Sequence, residues 1–124
     1  MRTPLSRVRH FGSAHDGTEH FWRQRLTGAA NVPLVIAFII VVAITIGRPY
    51  DDVITVIGSP FVAALFVLLF VSAAIHMRLG MQTIVEDYVH GEALKIFLLA
   101  ASTFFSAAVG VTAVLAILKL ALGA

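Results

Sequence analysis

The chain has 124 residues, of which 59% are hydrophobic and 13% are charged, and its mean hydropathy is +0.93. A typical soluble domain is about 45–50% apolar and about 25% charged. A soluble domain this small has too little interior to bury so much apolar surface. The composition argues against a soluble enzyme, a nucleic-acid-binding module and a disordered tail, so the apolar side chains must face lipid or partner chains.

The charges are concentrated at the N-terminus. Five of the nine basic residues precede residue 26, so the net charge of +2 reflects a basic N-terminal arm and not a groove for nucleic acid. The chain has no cysteine, which excludes disulfides, thiolate zinc sites and cysteine-ligated iron–sulfur clusters within it. A redox cofactor held by this chain would need another ligand.

Three uncharged runs, at residues 26–47, 53–77 and 96–118, are long enough to span a membrane. A helix needs roughly 20 residues to cross about 30 Å of hydrocarbon. The first run is too long and too far from Met1 for a signal peptide, and no small-residue cleavage site follows it. The sequence therefore predicts an all-α integral membrane protein with three transmembrane helices.

We divide the chain into a polar N-terminal arm and a three-helix membrane domain. Gly12, Ser13 and Gly17 predict an irregular arm over residues 1–25, and the membrane domain covers residues 26–124. Within that domain we expect helices at about 26–47, 59–86 and 93–120. The basic arm predicts, by the positive-inside rule, a cytoplasmic N-terminus, a cytoplasmic loop around residues 86–95 and an outer C-terminus.

Local signals define the ends of these helices. Pro33 either kinks the first helix or marks its first turn. Ser59 and Pro60 are typical of an N-cap and a first helical position. Gly91 suits the end of the second helix, and Glu92 suits the first turn of the third. The third helix also carries small residues at helical spacing, typical of close packing in lipid: Ser102, Ser106, Gly110 and Ala113.

His76 is the most informative polar residue within an apolar run. An ionisable group at membrane depth is costly and by default indicates function. At 100° per residue, Ser72 and Gly80 flank His76 on one helix face, and Ala73 fills the turn below. These small residues would let a porphyrin approach while the imidazole binds its iron. The pattern alone also permits a hydrogen-bonded packing histidine or a proton relay. By contrast, the five-residue spacing of His10, His15 and His20 scatters them around a helix and predicts no metal cluster.

Three further residues near this helix are candidates for ligand binding. Arg78 must reach the aqueous edge or find an anion, and a lipid phosphate or a haem propionate would serve. Asp87 and Tyr88 would lie near the cytoplasmic surface, where a Tyr hydroxyl can donate to a ligand carbonyl and a carboxylate can orient it or supply protons. On pattern alone they also fit an interfacial tyrosine beside a solvated aspartate.

The stretch from His76 to Tyr88, with the spacing H-x3-G-x6-D-Y on the second of three spans, resembles the hydrophobic membrane anchor subunit family of succinate dehydrogenase, respiratory complex II. The segment from Gly17 to Thr27 is similar to the alphaproteobacterial branch of that family, which is related to mitochondria. The resemblance covers nearly the whole chain, including its length and helix number.

The resemblance implies a site and a set of partners. His76 would be an axial ligand of haem b, with the other histidine from a three-helix cytochrome b556 partner subunit. Tyr88 would bind a carbonyl of ubiquinone, with Asp87 supporting it, and Arg25 would lie near the haem propionates and the quinone. The chain would attach a flavoprotein and an iron–sulfur subunit to the bacterial inner membrane. It would not bind succinate, and the isolated chain would have no catalysis of its own.

Two alternatives differ in class. A fumarate reductase anchor shares the three-span plan, although a haem-free anchor would lack His76. A small transporter or a structural membrane protein is the alternative outside redox chemistry. A proton-coupled transporter should carry a carboxylate within a span, and the three apolar runs contain none.

Overall fold

The computed structural model describes the backbone of residues 4–123 and the side chains of residues 18–123. The chain forms four helices, α1 (Pro4–Thr45), α2 (Tyr50–Ile57), α3 (Pro60–Tyr88) and α4 (Glu92–Leu122), and the described backbone contains no strand. Residues 18–45 of α1, together with α3 and α4, are long and apolar enough to cross a membrane. The predictions of an all-α fold and of three membrane spans are confirmed.

The N-terminal arm is helical where the sequence predicted an irregular segment. The first helix begins at Pro4 and continues into the membrane span without a break. Gly12 and Gly17 do not end it, because a glycine weakens a helix by only about 1 kcal/mol relative to alanine. Further along, Arg23 and Glu19 form an ion pair of 2.7 Å across one helical turn, which favours helix in this polar stretch. The side chains of His10 and His15 lie outside the described residues.

The first span runs through Pro33 and ends at Thr45. Pro33 therefore lies in the helix interior and does not mark a first turn. At the other end, the Thr45 hydroxyl donates to the Val41 carbonyl oxygen at 2.8 Å. Gly47 then adopts a positive φ of 78°, which glycine tolerates without steric cost. Residues 46–49 thereby separate α1 from α2.

A short amphipathic helix, α2, joins the first two spans and was not predicted. Its first turn carries Asp51 and Asp52, where the helix dipole favours negative charge. Val56 and Ile57 pack against the core, whereas Tyr50 is 76% exposed. The apolar run at 53–77 concealed this helix, since the last residues of α2 are as hydrophobic as the span that follows them. We interpret α2 as a helix that caps one end of the bundle.

Helix ends agree with the sequence signals at one position and differ at another. Ser59 is the N-cap of α3 and Pro60 is its first residue, as predicted. The Ser59 hydroxyl, however, donates to the Val56 carbonyl oxygen. It accepts no hydrogen bond from a backbone N–H of α3. Gly91 does not end α3, which stops at Tyr88; it is instead the N-cap of α4, whose first turn contains Glu92 as expected.

The three spans form an open layer with α3 in the middle. Helix α3 packs against both α1 and α4, and within the described residues no Cα atom of α1 lies within 8 Å of a Cα atom of α4. The core lies towards α2, where Val41, Ala63, Phe66 and Ile117 are buried together. Most large apolar side chains remain exposed, among them Phe61 and Phe104 at 75% each. These surfaces require lipid or partner helices, because no solvated domain leaves so much apolar area uncovered.

The small residues of α4 pack against α3. Ser106 is buried at 3% exposure. A Cβ atom on Gly110 would lie 3.0 Å from the Cβ atom of Ala74, which is closer than two carbon atoms normally approach. The absence of a side chain at Gly110 therefore sets the distance between the two helices, as expected for a small-residue face in lipid.

Candidate functional site

His76 lies on the central helix α3 and faces α1. Its ring is half-buried, and its Nδ1 atom lies 3.1 Å from Oγ1 of Thr27. Gly28 packs beside the same ring, since a Cβ atom there would lie 3.3 Å from Cε1 of His76. Among residues 18–123, no group forms a hydrogen bond with Nε2 of His76. The ring is therefore held through one nitrogen and keeps the other available.

Thr27 links this histidine to the backbone of α1. Its hydroxyl lies 2.8 Å from the Arg23 carbonyl oxygen and 3.1 Å from that of Gln24. Its own carbonyl oxygen is 3.4 Å from the Ser72 hydroxyl, which donates to it. Thr27 thus contacts both Ser72 and His76, which are one helical turn apart on α3. Sequence analysis did not identify Thr27, because its role depends on which face of α1 meets α3.

Ser72 and Gly80 flank His76 as the helical spacing predicts, and both lie against α1. Ser72 donates to Thr27, and a Cβ atom on Gly80 would lie 3.7 Å from Nε2 of Gln24. Both residues thereby allow α1 and α3 to approach closely. Their contribution to a porphyrin cradle stays a prediction.

A polar stripe runs along the face of α1 that meets α3. We define it as His20, Gln24, Thr27 and Asn31, which follow one another at steps of four, three and four residues. Three of its atoms are buried and have no hydrogen-bond partner within the described part of the chain: His20 Nε2, Gln24 Oε1 and Asn31 Oδ1. Buried polar atoms are normally paired, and these three atoms are exceptions. The helical spacing of the stripe was a readable signal in the sequence, and our sequence analysis missed it.

Arg25 lies beside the polar stripe on an exposed face of α1. Its guanidinium carbon is 4.8 Å from the centre of the Phe21 ring, a cation–π contact. Arg25 also lines a shallow cavity of about 430 Å³ together with Trp22 and Gly28. Gly28, which packs beside the His76 ring, is thus also part of this cavity's lining, whereas His76 is not. The position suits an anionic group near His76, and that role stays a prediction.

Arg78 has neighbours on both α1 and α4. Its Nε atom donates to Oγ1 of Thr103 on α4 at 3.4 Å. It also lines a polar cavity of about 280 Å³ with residues of α1 and α3: Glu19, His20, Arg23, Leu79 and Gln82. Two residues along a helix turn a side chain by about 200°, so Arg78 and His76 leave α3 in different directions, although Arg78 still borders residues of α1. The structure gives Arg78 neighbours other than His76, and its binding of an anion stays a prediction.

Asp87 and Tyr88 end α3, and both are exposed. Tyr88 is 77% exposed and lies at the mouth of an apolar groove of about 470 Å³ between α3 and α4. Twelve residues turn a helix by about 120° relative to the start, so Tyr88 and His76 lie on different faces. Asp87, one residue before Tyr88, lies on the same face of α3 as His76. The structure therefore does not bring His76 and Tyr88 together within this chain.

The described residues contain no group of three or more histidine, cysteine, aspartate or glutamate side chains that could hold a metal ion. His76 lies well inside the α3 span, and its Nε2 atom has no hydrogen bond within residues 18–123. His20 Nε2 is also without a partner there, but His20 lies near the start of the α1 span. The fold and this site together define a multi-pass membrane protein whose open faces require lipid or other chains.

Comparison with known proteins identifies the family. The chain belongs to the succinate dehydrogenase/fumarate reductase transmembrane subunit family, whose model matches residues 1–118. It is 33% identical over 122 residues to the succinate dehydrogenase hydrophobic membrane anchor subunit of Paracoccus denitrificans, covering 98% of this chain and 94% of that protein.

Two further relatives carry similar names. The succinate dehydrogenase membrane anchor subunit of Reclinomonas americana is 32% identical over 90 residues, covering 70% of this chain and 75% of the relative. The hydrophobic membrane anchor subunit of Rickettsia bellii is 27% identical over 109 residues, covering 86% and 85%. No solved structure shows significant similarity to the chain. The three apolar helices and the bacterial relatives place the chain in the bacterial inner membrane as a multi-pass protein.

Proposed function

We propose that this chain is the hydrophobic membrane anchor subunit of a succinate:ubiquinone oxidoreductase and that His76 is an axial ligand of its haem b. The observation that carries the haem assignment is the ring of His76, held through Nδ1 by α1 while Nε2 has no partner in the described chain. The family match and the names of the relatives support the role of anchor.

The open layer of helices supports assembly with other subunits. One chain supplies one histidine at membrane depth, so the second axial ligand comes from a partner, the three-helix cytochrome b556 subunit. The flavoprotein and iron–sulfur subunits bind at the cytoplasmic side, where the N-terminal arm and the loop after Tyr88 lie. The five arginines before residue 26 support this orientation.

Haem b, when bound, supplies a one-electron carrier at the centre of the membrane domain. The residues of this chain would hold it and neutralise its charge. His76 would provide the nitrogen lone pair, and Arg25, which lines a cavity with Gly28, would supply positive charge for the propionates. Ser72 and Gly80 keep α1 close to α3, so the ring of His76 stays between the two helices.

Ubiquinone reduction takes place at the cytoplasmic end of α3. The exposed Tyr88 hydroxyl donates a hydrogen bond to a quinone carbonyl, which favours the negative charge that develops on that oxygen. Asp87, the adjacent exposed carboxylate, accepts hydrogen bonds from water and relays protons to the quinone at this end of α3. The isolated chain catalyses nothing, because succinate oxidation belongs to the flavoprotein subunit.

The His76→Ala variant of the whole complex tests this function. We expect the variant complex to lose the reduced-minus-oxidised absorption band of haem b. His90→Ala, an exposed histidine in the loop between α3 and α4, should keep the band. Succinate oxidation with an artificial dye in the membrane fraction reports whether the complex still assembles. An assembled His76→Ala complex with a normal haem band would refute the ligand assignment.

A further inference from the structure

We infer that Thr27 is a positioning residue that fixes the tautomer of His76, keeping its ring proton on Nδ1 and the lone pair on Nε2. The inference rests on the proposed ligation of haem iron by His76. It adds a role for a residue of α1 that our sequence analysis did not identify.

The directions of the hydrogen bonds follow from the proton inventory of Thr27. Its hydroxyl has one proton and two lone pairs. Oγ1 lies 2.8 Å from the Arg23 carbonyl oxygen, which can only accept, so the hydroxyl proton points there. Donation to the carbonyl four residues earlier is the usual arrangement for threonine inside a helix. Towards His76, Oγ1 therefore presents a lone pair.

The contact between Oγ1 and Nδ1 is 3.1 Å. With a lone pair on the oxygen, this distance is a hydrogen bond only when Nδ1 carries the proton. A neutral imidazole has one ring proton, so Nε2 is then unprotonated and is the nitrogen able to bind a metal. In the other tautomer two lone pairs would face each other, or Thr27 would have to release the Arg23 carbonyl oxygen.

Two neighbouring contacts hold this geometry in place. The Thr27 carbonyl oxygen accepts from Ser72, one turn before His76. Gly28 leaves room for the ring, since a Cβ atom there would lie 3.3 Å from Cε1. Threonine is also stiff at χ1 because of its branched Cβ. The position, the rotamer and the proton of the ligand are thus set by adjacent residues of α1.

An acceptor on Nδ1–H increases the basicity of a ligating histidine, and loss of such a partner typically lowers metal affinity by about 10–100-fold. A more basic imidazole stabilises ferric over ferrous iron. Removing the acceptor should therefore raise the haem midpoint potential. If the preference for ferric iron falls about tenfold, the rise is about 59 mV for a one-electron couple.

The test compares the whole complex, purified with its partner subunits, in wild-type form and with Thr27→Val, Thr27→Ser or Thr45→Val. Thr45 is the matched control, because its hydroxyl lies 2.8 Å and 3.1 Å from two carbonyl oxygens of α1 but contacts no histidine. We measure the haem-to-flavin ratio, the haem midpoint potential and the low-spin ferric EPR signal. Thr27→Val should raise the potential and shift the EPR signal, whereas Thr27→Ser and Thr45→Val should match the wild type.

Unchanged potential and EPR signal in Thr27→Val would overturn the inference. If Thr27→Val retains no haem, Thr27→Ser and Thr27→Ala decide, since they differ by one oxygen atom. The inference then requires that Thr27→Ser bind more haem than Thr27→Ala and have the wild-type midpoint potential. Equal haem content and equal potential in these two variants would overturn it. Haem that persists in an assembled His76→Ala complex would instead refute the proposed ligand, whatever Thr27 does.

Discussion

Gly28 leaves the space beside the His76 ring free across the interface between α1 and α3, because a Cβ atom on Gly28 would lie only 3.3 Å from Cε1 of that ring. Gly28→Ala should therefore displace the imidazole by a few tenths of an ångström. Displacing the imidazole costs free energy, but alanine favours helix by up to about 1 kcal/mol over glycine. Because the two effects oppose each other, we expect little net change in the free energy of unfolding. The expected result is a lower haem-to-flavin ratio in the purified complex.

The control for this substitution is Ala43→Val, which adds bulk to an exposed position of the same helix. Haem content should stay normal in that variant. Thermal unfolding of both complexes separates a local effect on the histidine from a general loss of stability. If Gly28→Ala binds haem as the wild type does, the contact has no bearing on the ligand.

Sequence patterns were sufficient to predict the three membrane spans and the start of α3, because apolar length and the Ser59–Pro60 pair are local signals. They were insufficient for α2, since residues 53–57 belong to the same uncharged run as the start of α3. The helical arm was also missed, because Gly12 and Gly17 weaken a helix without ending it. Helix boundaries in these regions depend on packing that the chain acquires only when folded.

Tyr88→Phe removes one hydroxyl at the cytoplasmic end of α3. A neutral hydrogen bond contributes about 0.5–1.5 kcal/mol net, and 1.4 kcal/mol corresponds to about tenfold. We therefore expect ubiquinone reduction by succinate to fall by about 2- to 10-fold in kcat/KM. Succinate oxidation with an artificial dye should be unchanged, because that reaction does not use the quinone site.

The other tyrosine of the chain provides the control. Tyr50 is 76% exposed, comparable to Tyr88 at 77%, and it lies on α2 at the opposite end of the spans. Tyr50→Phe should leave both activities at the wild-type level. An equal loss of dye and quinone activity in Tyr88→Phe would indicate an assembly defect and would contradict the role of Tyr88 at the quinone.

His76 could be singled out from the sequence, whereas its surroundings could not. His76 stood out because an ionisable group within an apolar run is costly. Thr27 is 49 residues away in sequence, and its contact with His76 appears only when the relative rotation of α1 and α3 is known. The same holds for Arg78, which lies near His76 in sequence but reaches Thr103 on α4.

Gly110 and Ala74 set the separation of α3 and α4, and their coupling can be measured. A Cβ atom on Gly110 would lie 3.0 Å from Cβ of Ala74. Side-chain rotation cannot relieve this close contact, because both carbon atoms are attached directly to the backbone. Gly110→Ala should therefore push the helices apart and lower stability, as overpacking typically costs about 1–3 kcal/mol. Thermal unfolding of the complex, followed by circular dichroism, reports the loss as a lower midpoint temperature.

Ala74→Gly supplies the compensating change, because it removes the carbon that the new methyl group would meet. The double variant should be more stable than the sum of the two single effects by about 0.5–3 kcal/mol, the range found for residues in contact. Val109→Leu, on an exposed position beside Gly110, should leave the midpoint near that of the wild type. Additive effects of the two substitutions would mean that α3 and α4 do not meet at this pair.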